Sequence, residues 1–352
     1  KGMMGNIEVS VTVEGGKITA VEVTSQSETA GISDPALETI PQAIVDAQSW
    51  EVDAVAGATL TSNGIMEAVK NAITGEGDTA EEPAEIPFEQ TDIIVIGAGM
   101  AGMTTAARAA ELGLNVLVLE QTGSVGGSAM VAGGTLLGCG TKMQEEAGIE
   151  DSPELCFADF VRLGGAGTFN EEIAREFSEI SGEAVDWLDD LGADFGDRQP
   201  KMSSSYDAFN VPREYRVTGG GKAMVELVRP LIMEQVEQGN ISLLLETEVA
   251  DILVEDGAVT GVVLTDGTEY RAPATILATG GYGHNEELLH RYNYANVLTM
   301  SPSFVTGDGY KFAEKAGAQF NNMDYLPAYP GGVPVGGFDV SCTASVQYPG
   351  VI

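Results

Sequence analysis

Long apolar runs are missing from this sequence. No stretch approaches the roughly 20 consecutive apolar residues of a membrane-crossing helix, which leaves no candidate for a transmembrane span. Lys1 to Gly5 carry no signal-peptide apolar segment either. Histidine is scarce: His284 and His290 are the only two. A multi-histidine metal centre is excluded, and both residues are expected on helix surfaces or as caps. The three cysteines, Cys139, Cys156 and Cys342, fit no CxxC or CxxCH spacing. Zinc-ribbon and c-type haem chemistry are therefore excluded, and Cys156 and Cys342 read as small buried hydrophobes. Basic residues are few, 17 Lys and Arg against 53 Asp and Glu, for a net charge of −36. Such a chain repels nucleic acid and anionic membrane surfaces. An acidic small-molecule ligand needs a local positive site to overcome that field.

What is present has ordinary globular composition, 43% hydrophobic and 20% charged over 352 residues. That length implies two or more domains. Ile7–Val13 alternates at strand period, Gly15-Gly16 turns the chain, and Ile18–Val23 alternates again, so the pair reads as a hairpin. Amphipathic helices are expected near Pro35–Gln48 and Asn63–Ile73. These elements make a small α+β domain over residues 1–75. Residues 76–90, acidic and rich in Gly and Pro, form a linker. From Asp92 the pattern alternates between helices and strands, as in a doubly wound α/β domain over residues 91–325.

That α/β region opens on Ile93–Ile96, a continuous apolar run suited to a strand buried on both faces. The glycine turn Gly97-Ala98-Gly99-Met100-Ala101-Gly102 follows, then a helix from Met103 to Leu112 and a strand ending at Glu120. Gly97 makes the tight turn, Gly99 admits a pyrophosphate close to the backbone, and Gly102 lets helix and strand pack closely. The helix N-terminus offers unpaired N–H groups to the anion, and Glu120 accepts from ribose hydroxyls. A dinucleotide site is therefore expected here.

The run Glu120-Gln121 to Gly126-Gly127-Ser128 and Ala132-Gly133-Gly134 resembles the FAD segment of the fumarate reductase and succinate dehydrogenase flavoprotein family, of the flavocytochrome c and urocanate reductase type. Ile276–Gly283 resembles that family's second glycine strand, and Thr306-Gly307-Asp308-Gly309 its GDG turn. The resemblance implies a noncovalent FAD in a Rossmann-like domain. Its contacts would be Gly97, Gly99, Ala101, Gly102, Glu120, Gln121, Gly126, Gly127, Ser128, Ala132, Gly133, Gly134, Val249, Thr279, Gly280, Gly281 and Asp308.

Asp53–Thr59, followed by Leu60-Thr61-Ser62, resembles the motif of FMN-binding domains modified by a flavin transferase. In that family the motif threonine carries FMN through a phosphoester, which here is Thr59. Glu28, Thr29, Gly57, Ala58 and Thr61 would line the flavin. A departure is Ala56, where the motif often has Ser or Thr. A plainer reading has Thr61 or Ser62 capping a helix that starts near Asn63.

Two flavins imply an electron path from an external donor (a cytochrome, a flavoprotein or a quinol-linked protein) through FMN to FAD. The resemblance makes the acceptor an enoate whose C=C bond is reduced, and no metal is expected. The family's catalytic arginine would lie beyond Ile352, so residues 326–352 read as the start of a capping domain and the chain as truncated. Pro327–Pro330 resembles a segment that often reads Ala-His-Pro. Tyr329 replaces the histidine, as in urocanate reductases, and Ala344 stands where those carry a substrate-binding acid. Both are substrate-pocket candidates favouring a neutral or aromatic acrylate, although Tyr329 also reads as a packed core residue. Two rivals remain open, a ketosteroid dehydrogenase or other desaturase and a non-catalytic electron carrier. FMN domains of this kind are commonly exported, so an extracytoplasmic location with a signal removed before Lys1 is expected, with the cytoplasm as alternative.

Overall fold

The computed structural model describes residues 7–26, 28, 33–55, 58–74, 86–165, 167–198, 200–202, 209–292, 299, 301–323, 332–335 and 338–341. The chain falls into two compact units, one of residues 1–127, 232–319 and 332–341, the other of 128–231, 320–331 and 342–352.

Within the first unit, β1 (Glu8–Glu14) and β2 (Lys17–Ser25) pair antiparallel. Gly15 and Gly16 lie at φ +57° and +79°. Two consecutive left-handed residues are what a two-residue hairpin loop needs, and glycine adopts them without strain. α1 (Asp34–Ala47) and α2 (Thr59–Thr74) pack against the hairpin through Ile18, Ile40, Ile44, Ile65 and Val69. Gln48 closes α1 in the left-handed region, and its side-chain amide pairs with both the N–H and the C=O of Ile18. The sequence pattern started the second helix near Asn63, but α2 begins at Thr59. Apolar periodicity is silent over Thr59–Ser62, whose small polar residues enter the first turn.

Further along the chain come β3 (Ile93–Ile96), α3 (Met100–Glu111) and β4 (Val116–Leu119). The second unit then contributes β5 (Thr135–Leu137), α4 (Lys142–Glu146), α5 (Pro153–Gly164), α6 (Glu171–Asp190) and β6 (Glu214–Arg216). α7 (Gly220–Glu237) leads back to β7 (Ile241–Leu244), β8 (Val249–Glu255), β9 (Ala258–Leu264), β10 (Glu269–Arg271) and β11 (Ala274–Leu277). α8 (Glu286–Arg291), α9 (Asp308–Lys315) and the hairpin of β12 (Gly332–Val335) and β13 (Phe338–Ser341) complete the described elements.

A parallel sheet in the order β11-β3-β4-β7 carries the first unit. Ile94, Val95, Val116, Leu117 and Val118 are wholly buried in it, as continuous apolar strands with both faces covered must be. The antiparallel sheet β10-β9-β8 shares a core with it, where Ile252, Val262 and Leu264 meet Ile94, Leu117 and Leu119. This is the expected α/β architecture, with crossover connections placing glycine turns at the C-terminal ends of parallel strands. α3 starts at Met100, three residues earlier than its apolar stripe indicates, and Gly113 at φ +86° ends it as expected.

Candidate flavin sites

The glycine turn after β3 is built as the spacing requires. Gly97 lies at φ +99°, and a Cβ there would stand 2.5 Å from the Ala278 carbonyl oxygen. A Cβ on Gly102 would stand 1.9 Å from the Gly97 carbonyl oxygen. These two glycines are demanded by backbone contact. Gly99 differs, since among the described residues nothing lies within 4 Å of where its Cβ would be. The space left open is the space a ligand needs. Gly99 is also the N-cap of α3 and offers no side-chain acceptor, and the first helical bond runs from Met103 N to Gly99 O at 2.9 Å. The N–H groups of Met100, Ala101 and Gly102 thus stand ahead of the helical ladder, with the positive end of the helix dipole behind them.

Glu120 ends β4 and is 6% exposed. One carboxylate oxygen accepts from Ala98 N at 2.7 Å, and the other from the Thr122 N–H and hydroxyl at 2.8 and 2.7 Å. The acid expected to meet a ribose therefore also fixes the glycine turn, with lone pairs left for a diol. Gly126 donates to Ala98 O at 2.8 Å and bridges to Gly99, and a Cβ on Gly127 would stand 3.1 Å from the Gly99 Cα. Gln121 donates its side-chain amide to Phe304 O at 3.0 Å. Val249 opens β8 beside this strand end, where Thr247 N bonds to Glu120 O at 2.9 Å. Ala278 and Thr279 follow β11 next to the Gly97 turn. A Cβ on Gly309 would stand 2.0 Å from the Thr279 hydroxyl, so any larger residue there requires Thr279 to shift. Asp308 opens α9 and accepts a hydrogen bond from the Thr306 hydroxyl. Gly280 is left-handed at φ +74° and, like Gly281, sits at this strand end.

Residues 97–102, 120–127, 249, 279–281 and 308 of the first unit thus converge on one sheet edge. Their free N–H groups, open Gly99 and strand-end carboxylate fit a flavin dinucleotide. Ser128, Ala132, Gly133 and Gly134 belong to the second unit. There Gly134, at φ +72°, lies against the Gly220 backbone, and Gly221 N donates to Ala132 O at 2.9 Å.

The N-terminal site is partly described, with Thr29 and Gly57 outside the described residues. Thr59 is exposed at the head of α2. Ala58 and Thr61 are 4% and 3% exposed, and the Thr61 hydroxyl donates to the Glu28 carboxylate. Ser62 is wholly buried, accepts from Val55 N at 3.0 Å and donates to Ala58 O at 2.9 Å. The expected capping role of Thr61 or Ser62 is corrected: both lie inside the first turn, because the helix begins at Thr59. They hold the motif loop and leave Thr59 as the hydroxyl that faces solvent. Tyr329 and Ala344 lie outside the described residues.

The FAD-binding domain family model matches residues 92–352, and the FMN-binding domain model matches residues 2–74. The chain belongs to the FAD-binding domain family, with an FMN-binding domain ahead of it. Urocanate reductase from Eggerthella lenta is 29% identical over 362 residues, covering 94% of this chain and 56% of that protein. Among solved structures, the open conformation of a flavocytochrome c3 fumarate reductase matches with a TM-score of 0.58 at 27% identity, over 80% of this chain and 46% of that one. The 3-ketosteroid-Δ4-(5α)-dehydrogenase of Rhodococcus jostii RHA1 matches with a TM-score of 0.57 at 28% identity, over 70% of this chain and 57% of that one. The chain spans little more than half the length of these proteins at most.

Sequence reasoning missed two groups in the second unit. Arg213 is buried between Asp151 and Asp159, bonding to each at 2.7 Å. No motif signals it, since the partners lie more than 50 residues away along the chain. Cys139, which had no assigned role, is 4% exposed and donates to Ser178 O at 2.7 Å. A hydrogen bond from Cys156 draws its thiol below the ordinary range. Cys156 is wholly buried, as its apolar reading requires. Among the described residues no cluster of His, Cys, Asp and Glu could hold a metal ion.

Proposed function

We propose that this flavoprotein is a reductase of an activated C=C bond in an enoate, with FMN attached through its phosphate to Thr59 and FAD held noncovalently. The observation that carries the reading is the pairing of the two domains in one chain, with Thr59 exposed at the head of α2 while its neighbours Thr61 and Ser62 are buried. An electron-input domain suits reduction. Bound flavin supplies hydride chemistry. The chain supplies the setting for it: the α3 N–H groups receive the pyrophosphate, Glu120 takes the ribose, and the backbone around Gly280 closes the second strand end. Domain boundaries at 75 and 91, a capping segment from 326, an external donor of the cytochrome, flavoprotein or quinol-linked type, and an extracytoplasmic location belong to the same proposal. So do pocket roles for Tyr329 and Ala344, with Ala344→Asp expected to disfavour aromatic acrylates.

Two measurements test it. Intact mass of protein made in a host containing the flavin transferase should show one FMN adduct that disappears in Thr59→Ala. An adduct that survives the substitution places the linkage elsewhere. The protein should also oxidise a reduced low-potential dye only when an enoate is supplied. The dehydrogenase likeness favours a second reading, desaturation. Steroid dehydrogenation without dye oxidation by any enoate would establish that reading in place of this one.

A further inference from the structure

The second unit holds a cleft of about 590 Å³ whose lining includes Gly133, Phe195, Asp197, Lys201, Arg216 and Thr218. The chain carries a net charge of −36, yet among the described residues two cations and one carboxylate line this cleft. β6 sets the arrangement, because alternation turns Tyr215 inward at 3% exposure and leaves Arg216 exposed at the strand end. Arg213, just before β6, is fully engaged with carboxylates. The Arg216 side chain has no hydrogen-bond or ion-pair partner among the described residues, and its Nη2 stands 4.0 Å from where a Cβ on Gly133 would be. A guanidinium without a partner among the described residues thus lies beside the glycine segment that resembles the flavin-lining run.

Lys201 pairs with Asp197 at 3.3 Å, with side chains 66% and 58% exposed. Exposed pairs of this kind contribute little, so the ammonium is recruited by a ligand at small cost. Part of the lining is apolar and packed. Phe195 is 7% exposed and meets Tyr215 edge-to-face at 6.2 Å, and Val217 is 2% exposed. A forked cation beside an aromatic wall suits a carboxylate on a small planar apolar body.

We infer that this cleft is a carboxylate-binding subsite in which Arg216 grips the acid, Lys201 adds a second positive charge and Phe195 bounds the planar part. It is the local positive site that an acidic ligand requires on so negative a protein. Its consequence for turnover rests on the reductase reading above, whereas its consequence for binding does not.

The test separates the two. Benzoate, with benzamide as its uncharged counterpart, is titrated into FAD-loaded protein by calorimetry. Benzoate should bind saturably, more weakly as salt rises. Arg216→Gln should weaken it roughly 10- to 100-fold, the range expected for losing a charge-assisted hydrogen bond. Benzamide should be unaffected, and Arg216→Lys should fall between, since lysine lacks the fork. With cinnamate as the dye-coupled acceptor, the same substitution should raise KM and leave kcat nearly unchanged. Arg216-dependent benzoate binding without reduction of any enoate would sink the reductase reading and leave the subsite standing. Enoate reduction with Arg216-independent KM and binding would sink the subsite alone. Absence of saturable benzoate binding also overturns it.

Discussion

Gly102→Ala should abolish folding of the FAD-binding region, while Gly99→Val should leave a folded protein that carries no FAD. The two glycines are three residues apart in one motif, and the expected effects differ in kind. At Gly102 the added Cβ would stand 1.9 Å from the Gly97 carbonyl oxygen and 2.9 Å from its carbon. Those atoms are backbone, in a turn held by Gly97 N bonding to Leu119 O at 2.8 Å, so no rotamer change relieves the clash. The cost exceeds the roughly 4–5 kcal/mol that marks exceptional substitutions, a large share of the whole stability of a domain. At Gly99 the backbone lies at φ −68° and ψ −175°, which any residue adopts, and a Cβ meets nothing among the described residues. Valine therefore fits the protein and fills the space of the pyrophosphate. Thermal unfolding, soluble yield and flavin absorbance after desalting distinguish the outcomes. A folded Gly102→Ala protein with normal FAD would show that the turn relaxes in a way this packing does not allow. Normal FAD in Gly99→Val would remove the phosphate from that helix end.

This contrast also marks how far the sequence carries. The strand, glycine turn, helix and terminal acid at 93–120 were legible because each position has a separate physical job with a fixed spacing. Even there, the pattern did not distinguish Gly102, fixed by backbone contact, from Gly99, which is open. The hairpin at Gly15-Gly16 was legible for the same reason, two left-handed positions between alternating strands. The start of α2 was not, because Thr59–Ser62 has no apolar periodicity and its placement depends on Glu28, Val55 and Ala58, contacts made through the fold. Least legible were the charged groups of the second unit. Arg213 and Arg216 sit three apart, the first just before β6 and the second at its end, and nothing in Arg-Glu-Tyr-Arg says that the first is buried and matched while the second faces an open cleft. Tertiary packing decides that, through acids contributed from before and within α5.

Arg213→Leu should destabilise the protein by about 3–5 kcal/mol at pH 7, the range for breaking a buried ion pair from one side. The guanidinium donates through Nε and Nη2 to Asp151 at 2.7 Å each and through Nη1 to Asp159 at 2.7 Å, with the side chains of all three at most 2% exposed. Asn210 adds two further bonds to Asp159, and Gln144 one to Asp151, so the cluster ties α4, the segment before α5 and α5 itself to the residues preceding β6. Leucine matches part of the volume but leaves Asp151 buried without its guanidinium and Asp159 with only the half-exposed Arg162. The pH dependence carries the sign. Burial alone would raise Asp159, but hydrogen bonds from Arg213, the Asn210 amide and Arg162 outweigh it and hold the acid below the usual carboxylate range. In the wild type, that stability is present above the unfolded value of about 3.9 and is lost as pH falls through the lower folded value. In Arg213→Leu burial dominates, so Asp159 rises above its unfolded value and its cost diminishes as the acid becomes protonated. The gap in unfolding free energy between wild type and variant should therefore be widest near pH 7 and narrow towards pH 4. Adding Asp151→Asn and Asp159→Asn to Arg213→Leu should recover part of the loss at pH 7, because neutral amides retain hydrogen bonds without a buried charge. Urea unfolding of the three proteins across this pH range measures it. A gap constant with pH would mean that lost packing around the Arg213 stem, rather than stranded charge, accounts for the effect.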